Sequence, residues 1–527
     1  MERPMMHGGL ARLPLISRNP ILPNSVSCTL ISRNLLRTVV LAAAALLLWP
    51  ALSLAGDDHE RWYTVEMGGQ RAGYMHSVQK AEGGRITTSS RMEMKVGRGQ
   101  NAVAMTMEGQ FVETADHKPV SMKMVQKLGM TPKTVDYVFG EKEIAVTTRQ
   151  GDQETRSTKP LPEGAWLTPA AASEYVRQRL KAGAEQIVVR TVDAMSGPEP
   201  ATVTMTGIEK TTVEALGRTV PALRCTVSTS ASPGVSMTEY LDEDAVPIRS
   251  QVTLGPLTLH VVVSDRETAL AKADGPAPEM MVRTLVKPDA PIRRPREATR
   301  AVYLLSVPDG AMPAIPETGA QRVQTVDERT VRVTVGGPAA AAPEGDAGDA
   351  AFLASTSMVR GDDPEIVKLV GQATAKAGEV KAERAEAMRR FVRRFISTKD
   401  LDVGFATASE VARQRRGDCS EHAVLLAAML RADGVPARVA SGVLYVDEFE
   451  GAKGVFGYHM WTQALLEREG KPAWVDLDPT LPGGRAFDAT HITMAVSALA
   501  EGEEARSLSA ILPLMGRVVI RVESVEH

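Results

Sequence analysis

A repeated alternation of apolar and polar residues between positions 60 and 270 constrains this chain more than any other feature. It is visible in Trp62-Tyr-Thr-Val-Glu-Met67, Ala102-Val-Ala-Met-Thr-Met-Glu108, Gln186-Ile-Val-Val-Arg-Thr-Val192, Ala201-Thr-Val-Thr-Met-Thr206 and Val252-Thr-Leu-Gly-Pro-Leu-Thr-Leu-His-Val-Val-Val263. A period of two describes strands with one buried face. Gly68-Gly69, Gly83-Gly84 and Asp116-His-Lys-Pro119 supply turns between them. Many consecutive strands with short turns predict an antiparallel meander. One helix is predicted at 168–181, with Ala171, Ala172, Tyr175 and Leu180 as its apolar positions.

A length of 527 residues leaves room for about three or four domains. Apolar residues at 43% and charged residues at 24% exclude a disordered chain and a multi-span membrane protein. A net charge of −3 gives no case for a nucleic-acid partner. Near the N-terminus, Arg3, Arg12, Arg18, Arg33 and Arg37 precede the apolar run from Thr38 to Pro50, and the small residues Ser53 and Ala55 follow it. Residues 1–55 therefore read as a signal peptide, and the protein as exported, periplasmic or secreted. The run is shorter than the roughly 20 residues of a membrane span. An uncleaved N-terminal membrane anchor is the alternative; the mature chain is expected to hold no integral membrane domain.

Composition divides the rest. Residues 56–270 read as the β-rich meander domain. Residues 271–299, with Pro276, Pro278, Pro288, Pro291 and Pro295, read as a linker. A small β segment at 300–335 and a flexible linker at 336–361 follow. Helices begin at Asp363-Pro364, an N-cap with proline in the first turn, and open a domain at 362–498. Residues 499–527 form a C-terminal strand or tail. Cys28 leaves with the leader, so Cys225 and Cys419 remain. An oxidising compartment favours pairing them, and a structural disulfide is one open reading.

The chemically informative stretch runs from Arg416-Gly-Asp-Cys-Ser-Glu-His to Gly434. Gly417 and Asp418 are turn and cap residues, Ala423 to Leu430 is helix-forming, and Gly434 with Pro436 ends the helix. Cys419 thus starts a helix, where the partial positive charge favours thiolate, the nucleophilic form. Such a cysteine needs a base and a group to orient it. His459 lies in Gly457-Tyr-His-Met-Trp-Thr-Gln and Asp478 in Trp474-Val-Asp-Leu-Asp-Pro-Thr480. Two adjacent antiparallel strands would set them side by side, the carboxylate holding the imidazole. His422 is a competing base, with Glu421 and His422 otherwise packing or balancing charge in the first helical turn. Asp476 is a competing orienter, because it shares a side of an extended strand with Asp478. Arg413-Gln-Arg-Arg416 precedes the nucleophile and could meet an anionic substrate.

This arrangement resembles the transglutaminase-like family, within the wider papain-like group, over about residues 362–498. The resemblance rests on Gly417-Asp418-Cys419 opening a helix, Gly434-Val-Pro-Ala-Arg438 leading into a strand, His459-Met-Trp461, and Trp474-Val-Asp-Leu-Asp-Pro-Thr480. It implies an α+β transglutaminase-like (papain-like) catalytic domain, with Cys419 as nucleophile, His459 as its histidine and Asp478 as its aspartate. Gln463 departs from the pattern, where many relatives carry Glu. Thr490-His-Ile-Thr493 is also similar to bacterial relatives; His491 itself is read as structural or exposed. The segments Trp62 to Tyr74 and Glu239 to Arg249 resemble exported bacterial proteins whose curved sheet is similar to lipoprotein carriers.

The chain holds no Cys-x-x-Cys pair and no His-Glu-x-x-His motif, and no acidic loop has calcium-ligand spacing. The expectation is no metal and no cofactor, with calcium dependence left open. The resemblance implies an exported cysteine enzyme acting on glutamine side-chain or peptide amides by thioester-mediated acyl transfer or hydrolysis. Its partner is a protein or peptide substrate. The Cys419 amide is expected as one oxyanion donor, with Gln414 the candidate for the second. The alternative is a non-catalytic cell-envelope binding or scaffold protein whose β-rich domain takes a ligand or partner.

Overall fold

The computed structural model describes residues 58–527, apart from 99–100, 128–130, 152, 233–234, 255–256, 273–274, 280–281, 340, 347–348, 399–405 and 501–510. The predicted leader and Cys28 lie outside the described residues.

The alternating segments all fall within one antiparallel sheet of fourteen strands. Its strands are β1 (Asp58–Met67), β2 (Gln70–Glu82), β3 (Arg85–Arg98), β4 (Asn101–Thr114), β5 (Pro119–Lys127), β6 (Lys133–Phe139), β7 (Glu143–Gln150), β8 (Gln153–Pro160), β9 (Ile187–Asp193), β10 (Gly197–Ala215), β11 (Arg218–Thr229), β12 (Ser236–Leu241), β13 (Pro247–Leu254) and β14 (Leu257–Ser264). Apart from β8 and β9, successive strands pair with each other; β1 also pairs with β14, which leaves β8 and β9 as the edges. Met92, Met94 and Val96 of β3 and Val103, Met105, Met107 and Phe111 of β4 point inward, alternating with polar residues. Unbranched methionines suit irregular core space against a long sheet. Where β2 crosses β3, a Cβ on Gly73 would lie 1.8 Å from the Glu93 carbonyl oxygen, so the crossing requires glycine.

Helix α1 (Pro169–Lys181) connects the two edges and packs on β9 and β3. Its N-terminus is satisfied by Glu113 of β4, which accepts from the Ala170 amide at 3.1 Å and from Thr168 Oγ1 at 2.8 Å. That partner set explains a fully buried glutamate in a strand. After the short α2 (Arg266–Leu270), segment 282–299 crosses to the C-terminal half. Val286 and Phe456 exchange backbone hydrogen bonds of 2.9 and 2.8 Å, and the Ala489 amide donates to the Ala298 carbonyl at 3.0 Å.

Strands β15 (Arg300–Ser306), β16 (Gln321–Asp327) and β17 (Thr330–Val335) start a smaller sheet. Segment 336–361 then packs against the domain that follows. Asp346 accepts from Trp474 Nε1 at 2.7 Å, and Phe352 meets the Trp474 ring edge-on at 4.9 Å.

Four helices follow: α3 (Pro364–Thr374), α4 (Lys381–Phe395), α5 (Ala408–Gln414) and α6 (Cys419–Ala432). Strands β18 (Ala437–Phe449), β19 (Ala452–Arg468), β20 (Lys471–Leu477) and β21 (His491–Ser497) form a sheet in the order β20-β19-β18-β21. The last strand, β22 (Val519–Glu526), returns to pair with β15. Every residue from Cys419 to Arg431 is buried. A helix that is apolar on most sides belongs in a core, and α6 packs on α3, α4 and α5 as well as on β18 and β19. Thr462 of β19 donates to the Ala423 carbonyl of α6 at 3.0 Å, tying strand to helix near its first turn. The architecture is the expected one: an antiparallel β-rich N-terminal part followed by an α+β domain. Among the described residues no helix is long and apolar enough to cross a membrane.

Candidate active site

The site begins with the turn that starts α6. Gly417 has φ +141, and a Cβ there would lie 2.3 Å from Glu421 Cγ. Asp418 caps the helix, its Oδ1 accepting from the Ser420 amide at 3.0 Å. Glu421 completes a capping box, accepting from the Asp418 amide at 3.1 Å and from the Ala406 amide at 3.2 Å. Glycine, cap and glutamate thus fix Cys419 as the first residue of the helix, with its side chain fully buried.

His459 projects from β19, and Asp478 sits just beyond the end of β20. Their strands are antiparallel neighbours, with Gln463 opposite Asp476. His459 Nε2 lies 2.8 Å from Asp478 Oδ2. The His459 ring is also hydrogen-bonded to the Cys419 sulfur; with Nε2 engaged by Asp478, Nδ1 is the nitrogen available for it. Asp478 Oδ1 accepts from the Thr480 amide at 2.7 Å and the Thr480 hydroxyl at 2.6 Å. The turn itself is held by Arg389 of α4, wholly buried, which donates to the Asp478 carbonyl at 3.1 Å and the Leu481 carbonyl at 3.4 Å. The structure therefore brings Cys419, His459 and Asp478 together in one hydrogen-bonded run.

The electrostatics follow from this packing. Burial alone would push the His459 pKa down, but Asp478 and the Cys419 sulfur outweigh it and raise it to about 10. Burial would raise the Asp478 pKa, but His459 and His491 hold it well below the usual carboxylate range.

The competing residues go elsewhere. His422 directs Nδ1 to the Asp418 carbonyl at 2.6 Å, within its own helical turn. Asp476 accepts from Trp461 Nε1 at 2.8 Å, from Gln463 Nε2 at 2.7 Å and from the Ala320 amide at 3.0 Å. It docks the loop before β16 rather than orienting His459. Gln463 suits this place because its amide donates to Asp476, which a glutamate in its charged form could not do. Gln414 is exposed at the end of α5. In the basic run, Arg413 pairs with Asp363 at 3.0 Å and Arg415 lies over the Phe395 ring. No disulfide joins Cys225 to Cys419. Cys225 lies in β11 inside the meander, where burial pushes its thiol up to about 12.

His491, read from sequence as structural or exposed, is buried at the site. Its Nε2 lies 3.1 Å from the same Asp478 Oδ2 that His459 uses, and its Nδ1 lies 2.9 Å from the Asp488 carbonyl. A signal was present. Asp478-Pro-Thr480 and Asp488-Ala-Thr490 are the same Asp-x-Thr turn, each aspartate accepting from the amide and hydroxyl of the threonine two residues on. Ligand-type atoms of His459, Asp478 and His491 lie within 4.8 Å of one another, a spacing a metal could also use. Hydrogen bonds among these three side chains already satisfy those atoms.

Residues 368–479 match the model of the transglutaminase-like superfamily. A search of curated proteins returned no match. Among solved structures, the chain aligns with a beta-barrel-like protein of a domain of unknown function from Brucella abortus at 12% identity and TM-score 0.32, covering 40% of this chain and 98% of that one. It aligns with a proposed cysteine protease from Cytophaga hutchinsonii at 14% identity and TM-score 0.26, covering 44% and 89%. It also aligns with the periplasmic domain of TgpA from Pseudomonas aeruginosa, solved with ethylmercury, at 15% identity and TM-score 0.23, covering 35% and 91%.

Proposed function

We propose that the chain is an exported transglutaminase-like cysteine enzyme that acts on glutamine side-chain or peptide amides through a thioester. The observation that carries this reading is the hydrogen-bonded run of Cys419, His459 and Asp478 at the first turn of α6. Cys419 Sγ, as thiolate, attacks the amide carbonyl carbon. His459, as imidazolium, protonates the nitrogen as the C–N bond breaks. An amine or water then attacks the thioester, its proton passes to His459, and the sulfur departs as thiolate. Amine gives a crosslink; water gives deamidation or proteolysis. Asp478 keeps the ring oriented and balances its charge through both steps. The Cys419 amide is the oxyanion donor we assign. The cycle closes with no cofactor. The apolar leader in residues 1–55 supports an exported site of action.

A second reading, a non-catalytic envelope scaffold or binding protein, is favoured by one observation: Cys419 is 0% exposed. Catalysis requires the residues over the sulfur to move aside. Iodoacetamide labelling across pH, comparing wild type with His459→Ala, separates the two. The enzyme reading expects fast labelling of Cys419 near neutral pH, slowed by the substitution. Labelling only at alkaline pH, and equal in both proteins, contradicts it and favours the scaffold.

A further inference from the structure

The charged side chains do not stop at Asp478. Asp478 Oδ2 accepts from two histidines, His459 on one side and His491 on the other. His491 faces an acceptor at each nitrogen: a carboxylate oxygen at Nε2 and a backbone carbonyl at Nδ1. A neutral imidazole carries one proton and leaves one of these contacts without a hydrogen; the imidazolium satisfies both. Asp488 Oδ1 also lies 3.4 Å from Nδ1, and Asp488 Oδ2 is paired with Arg296 Nη1 at 2.8 Å. Arg296 belongs to the segment before β15 and donates further to Thr490 Oγ1 at 2.9 Å and to the Tyr445 carbonyl. The resulting order is Cys419, His459, Asp478, His491, Asp488, Arg296, with charge alternating in sign when the cysteine is thiolate and both histidines are protonated. His491, Asp488 and Arg296 all lie outside the stretch that matches the superfamily model, 368–479.

We propose that His491, as an imidazolium backed by Asp488 and Arg296, is a positioning residue that holds Asp478 from the side opposite His459 and lends its positive charge to the Cys419–His459 ion pair. The proposal rests on the Cys419–His459–Asp478 reading above. The two imidazole centres are 5.7 Å apart with the Asp478 carboxylate bonded to both, so the anion between them offsets their mutual repulsion while the second cation adds to the positive field at the sulfur. Charged or titratable groups facing His491 are Asp478, Asp488, Asp476 and His459, with Arg296 behind Asp488. The His491 ring also packs against Phe487, stacked at 4.5 Å, and Trp461, edge-on at 5.1 Å.

The test is a pH titration of thiolate absorbance in the full chain, taken as the difference from Cys419→Ser so that only Cys419 contributes. It requires no reagent to reach the buried sulfur. The variant His491→Gln keeps a donor for Asp478 but removes the charge. It is expected to move the onset of Cys419 thiolate to higher pH by roughly one unit, because a cation is lost near an anion. A merely structural role changes unfolding temperature and leaves this pH unmoved. An unshifted titration in folded His491→Gln, with wild-type thiolate that depends on His459, overturns the positioning proposal alone. Wild type with no thiolate near neutral pH, or thiolate indifferent to His459→Ala, overturns the triad reading and this proposal with it. If His491→Gln does not fold, NMR of the histidine ring nitrogens in the native protein decides. Two protonated nitrogens on His491 at mildly alkaline pH support the proposal, and one bare nitrogen overturns it.

Discussion

A Cβ on Gly417 would lie 2.4 Å from the Cβ of Glu421, four residues along the chain. Glu421 cannot retreat, because its carboxylate holds the Asp418 and Ala406 amides. Gly417→Ala therefore meets a clash and a positive φ together. It is expected to destabilise the protein by about 2–4 kcal/mol and to slow Cys419 labelling, since the same turn positions the sulfur. Denaturant unfolding and labelling rates on one preparation check both effects.

Asp478 and Asp476 should separate cleanly. Asp478→Asn is expected to slow labelling of Cys419 by roughly 100-fold, because the ring loses its charged partner. Asp476→Asn is expected to cost about 1–3 kcal/mol of stability, because Trp461, Gln463 and Ala320 all donate to that carboxylate. Its labelling rate should stay near wild type. The reverse pattern would exchange the roles of the two residues.

The pH dependence of stability has a source far from the site. Glu239, in β12, is fully buried and bonded to Ser250 Oγ at 2.7 Å. Burial pushes its pKa up to about 8 from an ordinary 4.5. A carboxyl raised in the folded state favours folding below its unfolded value, and that contribution is lost as pH rises through the folded value. Glu239→Gln should therefore gain roughly 2–4 kcal/mol relative to wild type between pH 4.5 and pH 8. Thermal unfolding of both proteins across that range checks it. His459 works in a different window. Its raised pKa gives stability that is full below 6.5 and lost as pH rises through about 10.

Arg438 fastens two loops to the C-terminal sheet. Its guanidinium lies 3.9 Å from the Trp474 ring centre, donates to Thr318 Oγ1 at 2.7 Å and to Gln463 Oε1 at 3.0 Å, and pairs with Asp346 at 3.5 Å. Burial lowers its pKa to about 10 despite the pull of Asp346 and Asp476. Arg438→Ala should cost about 2–4 kcal/mol, with little rescue by Lys, which lacks the planar fork. Unfolding curves, together with faster proteolysis within 336–361, would register the loss.

The meander was legible where strands such as β1, β4 and β14 bury one face, which leaves a period of two in the sequence; the edge strand β8 buries no residue and leaves no such mark. The helix at Cys419 was legible from its cap and its apolar run. The two strands carrying His459 and leading to Asp478 were legible as strands, but β19 is buried on both faces from Val455 to Leu466, so its pattern marks no solvent face. The sequence also left Asp476 and Asp478 equivalent by strand side; their partners separate them only once β19 and β20 are in register. His491, Arg296 and Arg389 were missed for one reason. Each reaches the site from a distant element, by contacts that span 13 to 194 positions along the chain. Local pattern carries no record of such contacts, except for the second Asp-x-Thr turn at Asp488.

Intact-mass spectrometry reads acyl transfer to Cys419 without a natural substrate. The full chain is mixed with an activated ester near neutral pH and quenched in acid. One acyl adduct is expected, mapped to Cys419, released by hydroxylamine, absent from Cys419→Ser and strongly reduced in His459→Ala. No adduct on Cys419, or adducts on surface lysines alone and equal in all three proteins, would contradict acyl transfer to Cys419.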